Sequence, residues 1–79
     1  MIAKEMFEDL GYEWKETKEY VEYTKYYFNH WLFKSKCMIR FYKSPINSFD
    51  IFDEFGISIH QDLLQAINKQ VEELGWNKC

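Results

Sequence analysis

Between Trp31 and Tyr42 the chain alternates with a period of two, and no other stretch constrains the fold as much. The odd positions are Trp31, Phe33, Ser35, Cys37, Ile39 and Phe41, and the even ones are Leu32, Lys34, Lys36, Met38, Arg40 and Tyr42. Neighbouring side chains on a strand point to opposite faces. The segment therefore predicts a strand with one nearly apolar face and one basic, amphipathic face.

Its neighbours show the same period. Tyr12–Lys15 predicts a short first strand that turns through Glu16-Thr17-Lys18. Glu19–Phe28 predicts a second, rich in aromatic and β-branched residues. Phe49, Ile51 and Phe55 share one face of a fourth, with Phe52 on the other. Ser44–Ser48 is a turn that places Pro45 where no ladder donor is required. Asn29-His30 offers a two-residue turn between the second and third strands, without the glycine that usually marks one. With that turn, Tyr20 faces Ile39, Tyr26 faces Phe33, Phe28 faces Trp31 and Glu19 faces Arg40. The same register sets Lys25 against Lys34, a like-charge conflict.

At both ends the period changes to that of a helix. In residues 2–10, Ile2, Met6, Phe7 and Leu10 share a face, and Gly11 stands where a left-handed cap belongs. Tyr12 can then fold back on Phe7. In residues 61–74, Leu64, Ile67, Val71 and Leu74 form one stripe, Gly75 caps it and Trp76 can contact Val71. The order predicts an α+β fold: an N-terminal helix, a four-stranded antiparallel meander and a C-terminal helix, with both helices packed on one sheet face. A chain of 79 residues supports one small core, so residues 1–79 are expected to form a single domain.

Charge is unevenly spread around a net of −3. Residues 1–14 set Lys4 against Glu5, Glu8, Asp9 and Glu13, residues 15–43 carry seven bases and three acids, and residues 44–62 carry only acids. A basic middle between acidic flanks can orient a charged partner, although solvated faces of an ordinary domain give the same pattern. No apolar run reaches the roughly 20 residues of a membrane span, and Met1-Ile2-Ala3-Lys4-Glu5 shows no basic region followed by an apolar one, so a secretory leader is not expected. A cytoplasmic location and no membrane partner are the expectation.

Motifs for chemistry are missing. His30, Cys37, His60 and Cys79 are zinc-type ligands without the paired spacings that make such a site specific. His60 reads instead as a helix-start residue and His30 as a turn residue. Asp50, Asp53 and Glu54 are the densest acid cluster but lack the glycine and distal glutamate of a calcium loop. Neither a nucleophile elbow nor a glycine-rich phosphate loop occurs. Cys37 reads as a small buried hydrophobe and Cys79 as a terminal thiol. No enzyme activity, metal or cofactor is expected.

Ala3–Glu13 (AKEMFEDLGYE) and Leu64–Trp76 (LQAINKQVEELGW) resemble the ends of a family of short, uncharacterised proteins from phages and prophages of low-GC Gram-positive bacteria. The resemblance covers the two helices and their caps, 24 of the 79 residues. Members tend to open the second helix with a threonine cap and an acid three residues later; here His60 and Leu63 hold those positions. The family has no assigned reaction, so no functional residue carries over. A phage context implies a bacterial cytoplasm and a host protein as partner, such as a defence or replication factor.

What remains is aromatic surface. Of the 16 aromatic residues, twelve lie between Tyr20 and Phe55, more than one face of a small sheet can bury. Tyr23, Tyr27, Tyr42 and Phe52 are expected on the face away from the helices as anchors, with Lys34, Lys36 and Arg40 beside them to steer a partner. A homodimer could use the same face. The alternative is nucleic-acid or nucleotide binding, with these cations on phosphates and the tyrosine rings on bases. The acidic total and the lack of an RRM aromatic signature weigh against it.

Overall fold

The computed structural model describes residues 1–28, 34–53 and 58–76. The elements run α1 (Ala3–Asp9), β1 (Glu13–Glu16), β2 (Tyr20–Phe28), β3 (Lys34–Tyr42), β4 (Phe49–Asp53) and α2 (Gln61–Leu74). The strands form one antiparallel sheet in the order β1-β2-β3-β4, so the chain is an α+β fold with a simple meander. Both helices lie on the face that carries Val21, Tyr23, Cys37, Ile39 and Phe41, and these join Phe7, Leu63, Ala66 and Ile67 in the core.

The α1 cap follows from the sequence. Gly11 has φ +93°, its N–H donates to Glu8 O, and the Tyr12 N–H donates to Phe7 O. This bond pair is a Schellman motif, whose apolar partner contact is the Tyr12 ring edge-on to Phe7 at 5.5 Å. Phe7 in turn stacks on Tyr23, with ring centroids 3.8 Å apart. At the other end of α1, the Ala3 N–H donates to Glu73 Oε2 at 2.7 Å, which ties the first helix to the last.

The α2 boundaries match the expected 61–74, but its buried face is rotated. Leu63, Ala66, Ile67 and Gln70 are buried, whereas Leu64 is 49% exposed. Two adjacent leucines sit about 100° apart on a helix, and the stripe closes around Leu63 because Ala66 and Gln70 continue it. Gly75 adopts φ +73° at the C-terminal end, and Trp76 packs near Phe41 and Phe49, both at 6.3 Å. His60 is the N-cap: its Nδ1 accepts from the Leu63 N–H at 3.4 Å, in place of the missing hydroxyl or carboxylate cap.

The β2–β3 register differs from the expected one. Tyr20 lies opposite Tyr42, Glu22 opposite Arg40, Lys25 opposite Cys37 and Phe28 opposite Lys34. The expectation had Tyr20 opposite Ile39, Glu19 opposite Arg40 and Lys25 opposite Lys34, a shift of three residues. An odd shift exchanges the two faces of a strand. The observed register brings Val21 and Tyr23 to the side of Ile39 and Phe41, where the helices can bury all four, and it removes the lysine conflict. The Asn29-His30 turn, the start of the third strand at Trp31–Phe33, and the readings at Phe55, Gly56 and Cys79 lie outside the described residues. The Ser44–Ser48 turn forms, with a cis Ser44–Pro45 bond, Asn47 at φ +49°, and Tyr42 N–H donating to Ser48 O.

Candidate functional site

The face away from the helices is assembled by the strand pairing. Lys15, Glu22, Arg40 and Asp50 form one row across it, and Glu13, Thr24, Met38 and Phe52 form the next. Tyr20 with Tyr42 and Tyr26 with Lys36 flank these rows on β2 and β3.

Arg40 is the hub. Its Nη2 and Nε donate to Glu22 Oε1 at 2.7 and 3.0 Å, and its Nη1 reaches the Tyr42 hydroxyl at 3.5 Å. The guanidinium carbon sits 4.3 Å from the centre of the Tyr20 ring, a stacked cation–π contact. Tyr20 and Tyr42 meet edge-on at 6.1 Å. The Glu22 bonds push the guanidinium above its ordinary value. Arg40 is thus a clasp within the face, and its charge is matched at once by Glu22.

Of the sequence-predicted residues, Lys36, Arg40, Tyr42 and Phe52 come together on the open face. Phe52 is 54% exposed and shares a shallow depression of about 270 Å³ with Lys36, Met38 and Asp53. Lys34 is placed by its backbone opposite Phe28, and its side chain lies outside the described residues. Tyr23 and Tyr27 are corrections. Tyr23 is buried at 1% exposure under Phe7, with its hydroxyl donating to the buried Gln70 Oε1. Burial pushes its phenol well above the ordinary range. Tyr27 shares the side of Tyr23, where Lys25 Nζ lies 5.5 Å from its ring, and burial pushes its hydroxyl up. Both follow from the odd register shift.

Tyr20, Glu22 and Tyr26 on β2 were missed for the same reason, whereas Met38 already shared the even-numbered face of the third strand with Arg40. The available signal was the conflict of Lys25 with Lys34, which a shift to Glu22 opposite Arg40 resolves.

On the helix side, Lys4 lies over the Trp14 ring at 4.5 Å beside a cleft of about 280 Å³ that reaches Tyr23, Gln70 and Glu73. Cys37 is fully buried, its Sγ 3.8 Å from the Tyr12 hydroxyl, and burial pushes the thiol up. A neutral thiol is a poor nucleophile and a poor metal ligand. The acid cluster is divided by strand alternation, since Asp50 lies opposite Arg40 and Asp53 opposite Cys37 on the other face. Among the described residues, no group of three His, Cys, Asp or Glu side chains could hold a metal ion. None of the described helices is long and apolar enough to cross a membrane.

Comparison with protein-family models, curated proteins and solved structures finds no match.

Proposed function

We propose that this chain is a non-enzymatic interaction protein of phage or prophage type that binds and modulates a host protein through the open face of its sheet. The observation that carries the reading is the composition of that face. Phe52, Met38 and the Tyr20–Tyr42 pair surround a row of charges that largely neutralise one another. Exposed apolar and aromatic groups around matched charges suit a protein surface, where anchors fill pockets and unpaired charge is costly to bury. The host would supply the partner in its cytoplasm, with a defence or replication factor as the natural class.

Nucleic-acid binding is the weaker reading. Phosphate contacts need free cations, and Arg40 is held by Glu22 while Glu13 and Asp50 share the face.

The test is affinity capture of the tagged chain from nuclease-treated lysate of a low-GC Gram-positive host, beside the M38D/F52D variant. One stoichiometric host protein, captured by the wild type and lost by the variant, is expected. Capture by both would overturn the open face as the surface. Capture of nucleic acid alone, when nuclease is omitted, would overturn the protein reading.

A further inference from the structure

Read strand by strand, the charged row alternates in sign: Lys15 on β1, Glu22 on β2, Arg40 on β3 and Asp50 on β4. We propose that the open face docks on a second copy of this chain, face to face, about a two-fold axis that lies in the interface, runs parallel to the strands and passes between β2 and β3. The inference rests on the reading of this face as a docking surface and names the occupant it takes when no host protein is bound.

An axis in this direction leaves position along the strands unchanged and exchanges β1 with β4 and β2 with β3. Lys15 therefore meets the partner's Asp50, and Glu22 meets the partner's Arg40. Symmetry repeats each contact once. In the flanking rows, Tyr20 meets the partner's Tyr42, Thr24 meets the partner's Met38, and Tyr26 meets the partner's Lys36. These three are aromatic, apolar and cation–π pairings, while at the rim Glu13 meets the partner's Phe52, the one contact of these rows that sets a carboxylate against an apolar ring. Among the described residues of the face, no like charges are opposed.

The charge row also rejects one alternative in-plane arrangement. A two-fold axis perpendicular to the strands and crossing this row would set every charge against its own copy, four like-charge oppositions in succession. Opposition of that kind suppresses association in interfaces generally. The arrangement parallel to the strands instead joins the two Glu22–Arg40 pairs into one four-membered network, so neither charge is buried alone. A slight inclination of the axis supplies the crossing of about 30° that aligned sheets adopt.

The size is consistent with a reversible dimer. Strands spaced about 4.8 Å apart and at most nine residues long offer on the order of 500 Å² per copy. The total of about 1,000 Å² is the lower bound of a specific interface. Such a dimer would depend on concentration and yield the face to a tighter host partner.

The experiment is sedimentation equilibrium of the full chain from low to high micromolar concentration, with the variants K15D, D50K and K15D/D50K. Circular dichroism checks that each is folded. The wild type is expected to approach twice its monomer mass. Each single variant opposes like charges at the rim and should weaken the dimer about tenfold or more. The double variant should restore it, because charges across the interface are again opposite. Within one chain, the double variant leaves both reversed residues beside like-charged neighbours, so an effect acting through the monomer fold would be worse in the double. A wild type that stays monomeric, singles that still dimerise, or a double that fails to recover would each overturn the inference. A monomeric wild type that still captures a host protein through Phe52 would overturn only the second copy as occupant.

Discussion

Arg40 Nη2 lies 2.7 Å from Glu22 Oε1 on the sheet face that the helices leave open, and the Glu22 side chain is nonetheless only 11% exposed. A carboxylate can be shielded there because Arg40 lies across it, held against Tyr20 and near Tyr42. The pair makes the face locally neutral without making it apolar.

Removing Arg40 should cost more than a surface charge normally does. Arg40→Ala leaves a shielded Glu22 carboxylate without its partner, so a loss of about 1–3 kcal/mol is expected. The E22A/R40A double variant should lose less than the sum of the two singles, because neither charge is then stranded. Urea unfolding of the four proteins checks this, and strictly additive losses would mean the two groups act independently.

The alkaline limit of stability should be set by buried acids of the core. Burial holds the phenols of Tyr12 and Tyr23 and the thiol of Cys37 above their ordinary values. The unfolded chain releases these protons near pH 8.5 for the thiol and near pH 10 for the phenols, while the folded chain retains them. Their contribution is therefore complete below about pH 8.5 and declines as the pH climbs through the raised folded values. Melting temperatures from pH 7 to pH 11 should fall along that limb. Tyr23→Phe should flatten the fall while costing about 1–2 kcal/mol at pH 7, since it strands the Gln70 carbonyl. An equally steep alkaline fall in that variant would exclude Tyr23 as a cause.

Two residues at helix ends test the caps. His60→Ser or His60→Asp should stabilise the fold by roughly 0.5–1 kcal/mol, because an oxygen cap replaces a 3.4 Å bond to an imidazole nitrogen. Gly11→Ala should destabilise by about 1 kcal/mol or more, as φ is +93° and a Cβ would stand 3.3 Å from Lys25 Cε. Thermal unfolding of both variants reads the two signs directly. A stabilised Gly11→Ala would mean that the left-handed cap is not formed.

The sequence made these ends legible because caps are local. Gly11 with Tyr12 and Phe7, and Gly75 after Leu74, declare themselves within a single helical turn. The meander and the identity of its apolar strand face were equally readable from the alternation at Cys37, Ile39 and Phe41. The register was not, because it depends on which face of β2 the helices cover, and β2 carries aromatic residues on both: Tyr20 and Tyr26 on one, Tyr23 and Tyr27 on the other. Period two cannot choose between two such faces, so the choice came from Phe7 stacking on Tyr23 across the core. Two of the seven expected site residues, Tyr23 and Tyr27, turned on that choice of face. Leu64 looked buried for a different reason: it is adjacent to Leu63, and the face that α2 turns to the core is set by Leu63, Ala66, Ile67 and Gln70 together.

Cys37 offers the sharpest check on how closed this core is. Its side chain is fully buried, its Sγ lies 3.8 Å from the Tyr12 hydroxyl, and burial pushes the thiol up. Both effects suppress reaction, since an attacking reagent needs a thiolate and a path to it. In a C79S variant, which leaves Cys37 as the sole thiol, labelling by an aromatic disulfide at pH 7.5 should be slow and complete only after the chain opens. If the opening is local, the rate will barely respond to low urea; if it requires the sheet and helices to separate, the logarithm of the rate will rise linearly with urea at a slope near the equilibrium one. Cys37 lies on β3, an inner strand, between Lys25 and Asp53 in the strand pairing and beneath Tyr12, so the second behaviour is expected. Rapid labelling in native buffer would show that this end of the core opens without global unfolding.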